Sequence, residues 1–219
     1  MQKLTHSDTG DRSSKASGAA TRTSERKKPI LDRGVKRVKS LLRAAEQCFA
    51  EVGYGAASMT AVARRANAPI GSLYQFFSTK ESVAVALIEQ YVAELKTCWD
   101  SLSTDGPHDD YAKFARQLVT TTLEQIDRQP AFSTLEDAQA NFGLRPGNHD
   151  ELLLAVIGLI GRLAPSASAA MRDKLGLITF QMLKAAYALH QNDNEIKGDI
   201  DVVVEMSSII AGYLRRNIT

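Results

Sequence analysis

Apolar residues recur at helical spacing along most of this 219-residue chain, and no segment shows the sustained alternation that marks a half-buried strand. Beyond residue 106 the spacing predicts helices over about 107–128, 130–140, 149–163, 166–190 and 199–216. Turn-forming stretches such as GLRPGN and LAPSAS separate them. We therefore predict an all-α fold of about nine helices.

The first helix carries an apolar stripe, and a glycine follows it. Gly53 is expected to end this helix, because the residue after a helix often needs a positive φ. We expect Ser58 to cap a short second helix and Asn67 to end it in the left-handed conformation. Pro69 suits the first turn of a third helix, from about 69 to 77, and Ser78 is expected to cap a long fourth one. The stripe consists of Val38, Leu41, Leu42, Ala45, Phe49 and Val52.

Two short helices joined by a tight turn and packed on an amphipathic helix form a helix-turn-helix unit. In the third helix, Leu73 and Phe77 are four residues apart, so both can face the core. The other side chains are left at the edges and on the exposed face. These are Ile70, Gly71, Ser72, Tyr74, Gln75 and Phe76.

Charge divides the chain unevenly. Residues 1–80 hold 15 lysines and arginines against 6 acidic residues, whereas residues 81–219 hold 12 against 19. A basic N-terminal part followed by an acidic C-terminal part indicates that a polyanionic partner binds at the N-terminal part. We predict three parts: a basic, disordered tail over 1–33, a helix-turn-helix domain over 34–80, and a helical bundle over 81–219.

Several classes of protein are disfavoured by composition. No apolar run is long enough to span a membrane, and the polar first residues do not form a secretory leader, so we expect a cytoplasmic protein with no membrane partner. Cys48 and Cys98 form neither a disulfide framework nor a metal-binding spacing. Neither a metal nor a cofactor is expected.

The segment FAEVGYGAASMTAVARRANAPIGSLYQFFSTKE, residues 49–81, resembles the DNA-binding signature of the TetR family of transcriptional regulators. The resemblance covers about residues 35–90. It implies an N-terminal three-helix DNA-binding domain followed by a helical-bundle domain for ligand binding and dimerisation. The positions of the family pattern are held here by Phe49, Gly53-Tyr54, Ala57-Ser58, Val62-Ala63, Ala66-Asn67-Ala68, Gly71-Ser72-Leu73-Tyr74, Phe76-Phe77 and Lys80-Glu81.

By position, the resemblance implies a set of phosphate and base contacts. A helix N-terminus favours phosphate oxygens, the Gln75 amide can bond adenine, and Ile70 can meet a thymine methyl. Ala57, Asn67, Ile70 and Phe76 depart from the family pattern, which bears on the target sequence and not on the docking mode. The expected DNA-contacting residues are Lys36, Arg37, Ser58, Thr60, Pro69, Ile70, Gly71, Ser72, Tyr74, Gln75, Phe76 and Lys80.

Two stripes in the last two helices are either core of a single chain or the pairing faces of a homodimer in a four-helix bundle. The resemblance favours the dimer, with interface residues Leu175, Ile178, Met182, Ala185, Leu189, Val203, Val204, Ser207, Ala211 and Leu214. A further set could line an effector cavity, although each member alone is as readily core or surface. That set is Trp99, Phe132, Phe142, His149, Met182 and Tyr187.

These features together predict a ligand-responsive regulator, a repressor that binds a palindromic operator as a homodimer and is released by a partly apolar small molecule. One alternative is a non-specific architectural DNA-binding protein that uses its basic tail. Another is an all-helical enzyme, but the chain contains no phosphate-binding glycine loop, nucleophile elbow or metalloprotease motif.

Overall fold

A computed structural model describes residues 20–102, 110–144, 150–191 and 200–218. Within these ranges the chain forms nine α-helices and no strand, so the all-α prediction is confirmed. The helices are α1 Ala20–Ala56, α2 Met59–Arg65, α3 Ile70–Phe76, α4 Lys80–Asp100, α5 Tyr111–Asp127, α6 Phe132–Phe142, α7 Glu151–Leu163, α8 Ala169–Gln191 and α9 Val202–Asn217.

Helix α1 begins earlier than the sequence reading predicted. Its backbone is helical from Ala20, whereas we expected a tail without structure up to residue 33. Glutamate, arginine and lysine at positions 25–28 are good helix formers, and polar composition alone therefore did not exclude a helix. Residues 1–40 form one compact unit and residues 41–219 another.

The breaks between the first three helices follow local backbone chemistry. Gly53 has a φ of 77°, as predicted, but it kinks α1 and the helix continues to Ala56. Ser58 caps α2, accepting a hydrogen bond from the N–H of Ala61 at 3.2 Å. Asn67 has a φ of 47°, so the left-handed conformation expected there is confirmed.

The cap of α4 is Thr79 and not Ser78. The Thr79 hydroxyl accepts from the N–H of Ser82 at 3.1 Å, and the Ser82 hydroxyl accepts from the N–H of Thr79 at 3.2 Å. This reciprocal capping box satisfies two backbone donors that a cap at Ser78 would leave unpaired. Pro69 lies just before α3 in an extended conformation, outside the first turn.

One member of the first predicted stripe is misplaced. Val52 is 55% exposed, and the next apolar side chain in the core is that of Tyr54, which follows the kink at Gly53. Tyr54 is buried and its ring lies 5.6 Å from that of Phe49.

Behind these helices, α4, α5, α7, α8 and α9 share a second core. Helices α7 and α8 approach closely at Gly176, where an added Cβ would lie 2.5 Å from Ile157 Cγ1 and 2.8 Å from Ile157 Cα. A glycine is therefore required at this helix crossing. The largest fully buried side chains here include Trp99, Leu118, Leu159, Ile160, Leu175, Ile210 and Leu214.

Four residues of the predicted dimer stripe lie in the core of the single chain. Leu175, Ser207, Ala211 and Leu214 are buried there, which leaves little of their surface for a contact with a second copy. The spacing identified an apolar face on each helix, but an intrachain core produces the same spacing as a dimer contact. Ile178, Met182 and Val203 are partly buried, and Ala185, Leu189 and Val204 are exposed.

In the part of the chain that the structure describes, no helix has the length and apolar character needed to cross a membrane.

Candidate nucleic-acid interface and ligand cavity

Helix α3 has one buried side and one exposed side. Leu73 and Phe77 are buried, as predicted. Ile70, Tyr74 and Phe76 are 40%, 53% and 42% exposed, which is unusual for three large apolar side chains on a helix of two turns. Exposed apolar groups clustered in this way mark interaction surfaces. We call the exposed set Ile70, Gly71, Tyr74, Gln75 and Phe76 the α3 face.

Glycine and hydroxyl residues complete this surface. Apart from its chain neighbours and its own helix backbone, nothing lies within 4 Å of the place that a Cβ of Gly71 would occupy. Because glycine has no side chain, the surface is flat at the start of α3. Thr60 on α2 and Pro69 are exposed, and Ser72 is half-buried. The Ser58 oxygen is engaged as the α2 cap, which leaves its O–H free to donate to another acceptor.

Lys80 has a different role from the one expected. Its Nζ donates to the carbonyl oxygens of Tyr54, Gly55 and Ala57 at 2.6, 3.0 and 3.0 Å, and it lies 4.5 Å from the centre of the Tyr54 ring. An ammonium group has three N–H donors, so none remains for a phosphate. The lysine instead joins the start of α4 to the C-terminal carbonyls of α1, where a cation is favoured.

An ion pair between α1 and α2 was not predicted from the sequence. Arg65 donates from both terminal nitrogens to the two carboxylate oxygens of Glu51, and this hydrogen bonding lowers the pKa of Glu51. The signal in the sequence was weak, since the two residues are 14 positions apart. Arg64 is exposed on the same helix.

Lys36 and Arg37 lie in the first compact unit, residues 1–40, and both side chains are exposed on α1. Arg33 and Lys39 are exposed on the same segment. This part of α1 therefore presents four cations to solvent within two turns.

A cavity of about 240 Å³ lies among α4, α5, α6, α7 and α8. Three of the residues that were expected at an effector site line this cavity: Trp99, Phe132 and Tyr187. Met182 instead packs from the side against the second core. Phe142 lies outside the cavity, largely exposed, with its ring centre 5.2 Å from that of Tyr54. His149 lies outside the described residues.

Aromatic side chains connect the cavity wall to α1. Phe132 lies between Tyr91 and Tyr187, with ring centres 6.3 Å and 5.1 Å away. The Tyr91 hydroxyl donates to Glu46 Oε1 at 2.6 Å, and burial together with this carboxylate raises the pKa of Tyr91 above its usual value. Sequence reasoning assigned no role to Tyr91, because its partner is 45 positions away.

Among the described residues that line the cavity, the charged ones lie on α6 and α8. Glu136 on α6 and Lys184 on α8 both line it, together with Gln139. Burial raises the pKa of Glu136, while the Tyr187 hydroxyl opposes this shift. No cluster of three histidine, cysteine or acidic side chains suited to a metal occurs in the described ranges.

Comparisons with known proteins agree with this arrangement. Residues 41–87 match the family model of bacterial regulatory proteins of the tetR family. No curated protein matches the chain.

Solved structures share the fold at low sequence identity. A TetR-family transcriptional regulator from Streptomyces coelicolor is 22% identical with a TM-score of 0.63, over 84% of this chain and 98% of that one. A TetR-family regulator from Pectobacterium atrosepticum is 20% identical with a TM-score of 0.64, over 86% and 97%. A protein from Shewanella sp. PV-4, which is only provisionally assigned to the TetR family of transcription regulators, is 17% identical with a TM-score of 0.59. The match covers 81% of this chain and 97% of that one.

Proposed function

We propose that this chain, whose residues 41–87 match the family model of bacterial regulatory proteins of the tetR family, is a ligand-responsive repressor of that family. In this proposal it binds a palindromic operator as a homodimer and leaves the operator when a small molecule enters the cavity. Proteins of the family are non-enzymatic DNA-binding transcription factors, and the proposed chemistry is accordingly one of binding alone. The DNA-binding domain extends over residues 34–80 and the effector and dimerisation domain over 81–219.

The observation that carries the proposal is the exposure of the α3 face. Leu73 and Phe77 fix the helix from below, which leaves its other side chains free to lie along a groove of a duplex. The Tyr74 hydroxyl can donate to a phosphate oxygen, and the Gln75 amide can pair with adenine or reach the backbone. Gly71 permits close approach of the DNA.

Phosphate contacts come from fewer residues than the sequence suggested. All three N–H donors of Lys80 bond to carbonyl oxygens of the protein. Lys80 can therefore favour DNA binding only through the electrostatic potential of its charge. We retain Lys36, Arg37, Ser58, Thr60, Pro69 and Ser72 as phosphate or backbone contacts. Contacts of this kind, with that of the Tyr74 hydroxyl, set the register of the protein on DNA, while Ile70, Gln75 and Phe76 supply the preference for sequence.

A palindromic operator requires a two-fold protein. Apolar side chains that remain exposed on α8 and α9, namely Leu177, Leu189, Val204 and Ile209, support pairing of these helices with those of a second copy. The two α3 helices of such a dimer would enter successive major grooves about 34 Å apart.

Effector release requires a path from the cavity to the DNA-binding helices. Two contacts support such a path. Tyr91 lines the cavity and donates to Glu46 on α1, and α6 lines the cavity through Phe132 while its last residue, Phe142, contacts Tyr54. A ligand that moves α4 or α6 therefore acts directly on the helices behind the α3 face.

A mobility-shift assay on the DNA that flanks the protein's own gene tests the DNA-binding part. We expect the wild-type chain to prefer one fragment over random DNA of equal length. Gln75→Ala should reduce that preference about tenfold, since one good base contact contributes ~1–3 kcal/mol of discrimination. Tyr74→Phe removes a phosphate donor and should weaken binding to every fragment alike.

Gln90→Ala, at an exposed glutamine of α4 that lies outside the cavity lining, is the matched control and should leave the preference unchanged. Equal affinity for all fragments, insensitive to both α3 variants but lost on deletion of residues 1–33, would instead support the architectural DNA-binding protein.

A further inference from the structure

The cavity is chemically two-sided. Along α4 and α5 the polar atoms are already paired: Trp99 Nε1 donates to Thr122 Oγ1 at 2.9 Å, and that hydroxyl donates to the Leu118 carbonyl at 2.6 Å. The Tyr91 hydroxyl donates to Glu46. This wall therefore presents to a ligand the carbon surface of its side chains and little hydrogen-bonding capacity.

The charged and amide groups that line the cavity come from α6 and α8. Glu136 and Gln139 are one turn apart on α6, and Lys184 and Tyr187 are one turn apart on α8. Glu136 and Lys184 carry charges of opposite sign, and both side chains are exposed. Burial of the carboxyl raises the pKa of Glu136, the Tyr187 hydroxyl lowers it, the Asp137 charge raises it and the Lys184 charge lowers it. A ligand with a net charge would be attracted by one of these two groups and repelled by the other.

Desolvation decides between charged and neutral ligands. An ion that enters a mainly apolar cavity loses its hydration, and only a dedicated counter-charge compensates that loss. Here the lining holds one charge of each sign, Glu136 and Lys184, so a carboxylate or an ammonium ligand meets a like charge as well as an opposite one and has no dedicated counter-charge. An uncharged hydroxyl, ester or amide can accept and donate hydrogen bonds at this wall without that cost.

The volume sets the size of the ligand. An engineered apolar cavity of about 150 Å³ holds benzene. By the same ratio the cavity of about 240 Å³ accommodates roughly ten non-hydrogen atoms.

We propose that the cavity binds an uncharged amphiphile of this size. Its apolar body lies against α4 and α5, and its single hydrogen-bonding end lies between Glu136, Gln139 and Lys184. The assignment rests on the proposed function only in taking the cavity as the effector site.

The chain carries its own reporter for the test. Trp99 is its single tryptophan and lines the cavity, so its fluorescence can be titrated with three probes of equal chain length: 1-octanol, octanoate and octylammonium, at pH 7. We expect 1-octanol to bind the full-length protein at least about tenfold more tightly than either ion. A charged homologue that binds as tightly as 1-octanol, or no response to 1-octanol, overturns the proposal.

Two charge variants give a reciprocal test. Glu136→Gln leaves Lys184 without its opposing charge and should shift the ranking towards octanoate, whereas Lys184→Met should shift it towards octylammonium. Glu124→Gln on α5 and Lys174→Met on α8 make the same chemical changes at exposed sites outside the cavity. Those controls should leave the ranking unchanged; identical rankings in all four variants contradict the proposal.

A third variant locates the binding. Leu152 lines the cavity from α7, so Leu152→Phe should weaken 1-octanol binding by reducing the available volume. Undiminished binding would place the probe elsewhere and overturn the assignment. Circular dichroism checks that each variant is folded.

The assay distinguishes failure of this assignment from failure of the proposed function, since it contains no DNA. If 1-octanol is preferred but does not change the mobility shift, the ligand class stands and the release mechanism fails. If the α3 variants bind DNA like the wild type, the regulator proposal fails while the probe ranking is unaffected.

Discussion

At the scale of single residues, Lys80 shows how a charge can be assigned to the wrong partner. Its position after a helix-turn-helix suggested a phosphate contact, but its amine donates to three carbonyl oxygens around the end of α1. A basic residue reads as a DNA contact only when its donors are free, and a sequence does not show which donors are free.

We predict that Lys80→Met lowers the free energy of unfolding by about 2 kcal/mol, because hydrogen bonds to a charged group contribute ~1.5–3 kcal/mol and the carbonyls lose their donor. Urea denaturation followed by circular dichroism measures the change. Lys174→Met, at an exposed site on α8, should change stability by less than about 0.5 kcal/mol. Equal effects of the two substitutions would show that the carbonyl contacts of Lys80 contribute nothing measurable.

Residues whose conformation depends on their immediate neighbours were predicted well. Asn67 and Ser58 behave as expected because a left-handed turn and an N-cap are local events. The cap of α4 was misplaced by one residue, since Ser78 and Thr79 are equally suitable caps until the reciprocal bond to Ser82 selects Thr79. Tyr91 was missed because its hydrogen bond to Glu46 depends on how α1 and α4 pack.

At the scale of elements, periodicity located the helices but not their ends or their partners. Helix α1 begins at Ala20 because lysine, arginine and glutamate extend helices as readily as they solvate tails. Val52 fits the apolar stripe, yet the kink at Gly53 replaces it with Tyr54. A stripe predicts a buried face only as far as the helix stays regular.

The crossing of α7 and α8 gives a prediction at this scale. Gly176→Ala should destabilise the protein by about 1–3 kcal/mol, because the new methyl group would overlap Ile157, including its backbone Cα. Thermal unfolding measures the change. Gly158→Ala is the matched control, since no atom lies within 4 Å of its added methyl and alanine favours a helix interior; it should leave the melting temperature unchanged or raise it.

A melting temperature of Gly176→Ala equal to that of the wild type would show that the two helices separate at little cost.

At the scale of the whole molecule, the faces available for assembly differ from those read in the sequence. Leu175 and Leu214 lie in the core of one chain, whereas Leu177, Leu189 and Ile209 on the same two helices are exposed. Each helix of a bundle can carry two apolar stripes, and only tertiary packing decides which one remains outside. Trp99, Phe132 and Tyr187, which line the cavity, were named from the sequence. The polar lining residues of α6 and α8 could not be named in this way, because their position depends on how these two helices pack.

If the outer stripe pairs two copies, Ile209→Asp should raise the dimer dissociation constant at least about a hundredfold, because it buries an unpaired charge in an apolar interface. Analytical ultracentrifugation across a concentration series measures the constant. Leu154→Asp, at an exposed leucine of α7, is the control and should not change it.

A dissociation constant unaffected by Ile209→Asp would exclude this part of α9 from the interface and leave the pairing of the two operator half-sites without a basis.

The contact between Lys80 and the end of α1 also has a consequence for building hybrid regulators. A DNA-binding fragment of this protein that ends at residue 79 would lack the Lys80 amine, which bonds to carbonyl oxygens at the end of α1. It would still contain every side chain that faces the DNA groove. A fusion of this DNA-binding domain to the ligand-binding domain of another regulator therefore has to include the first turn of α4. The segment to be transferred is longer than the part that contacts DNA.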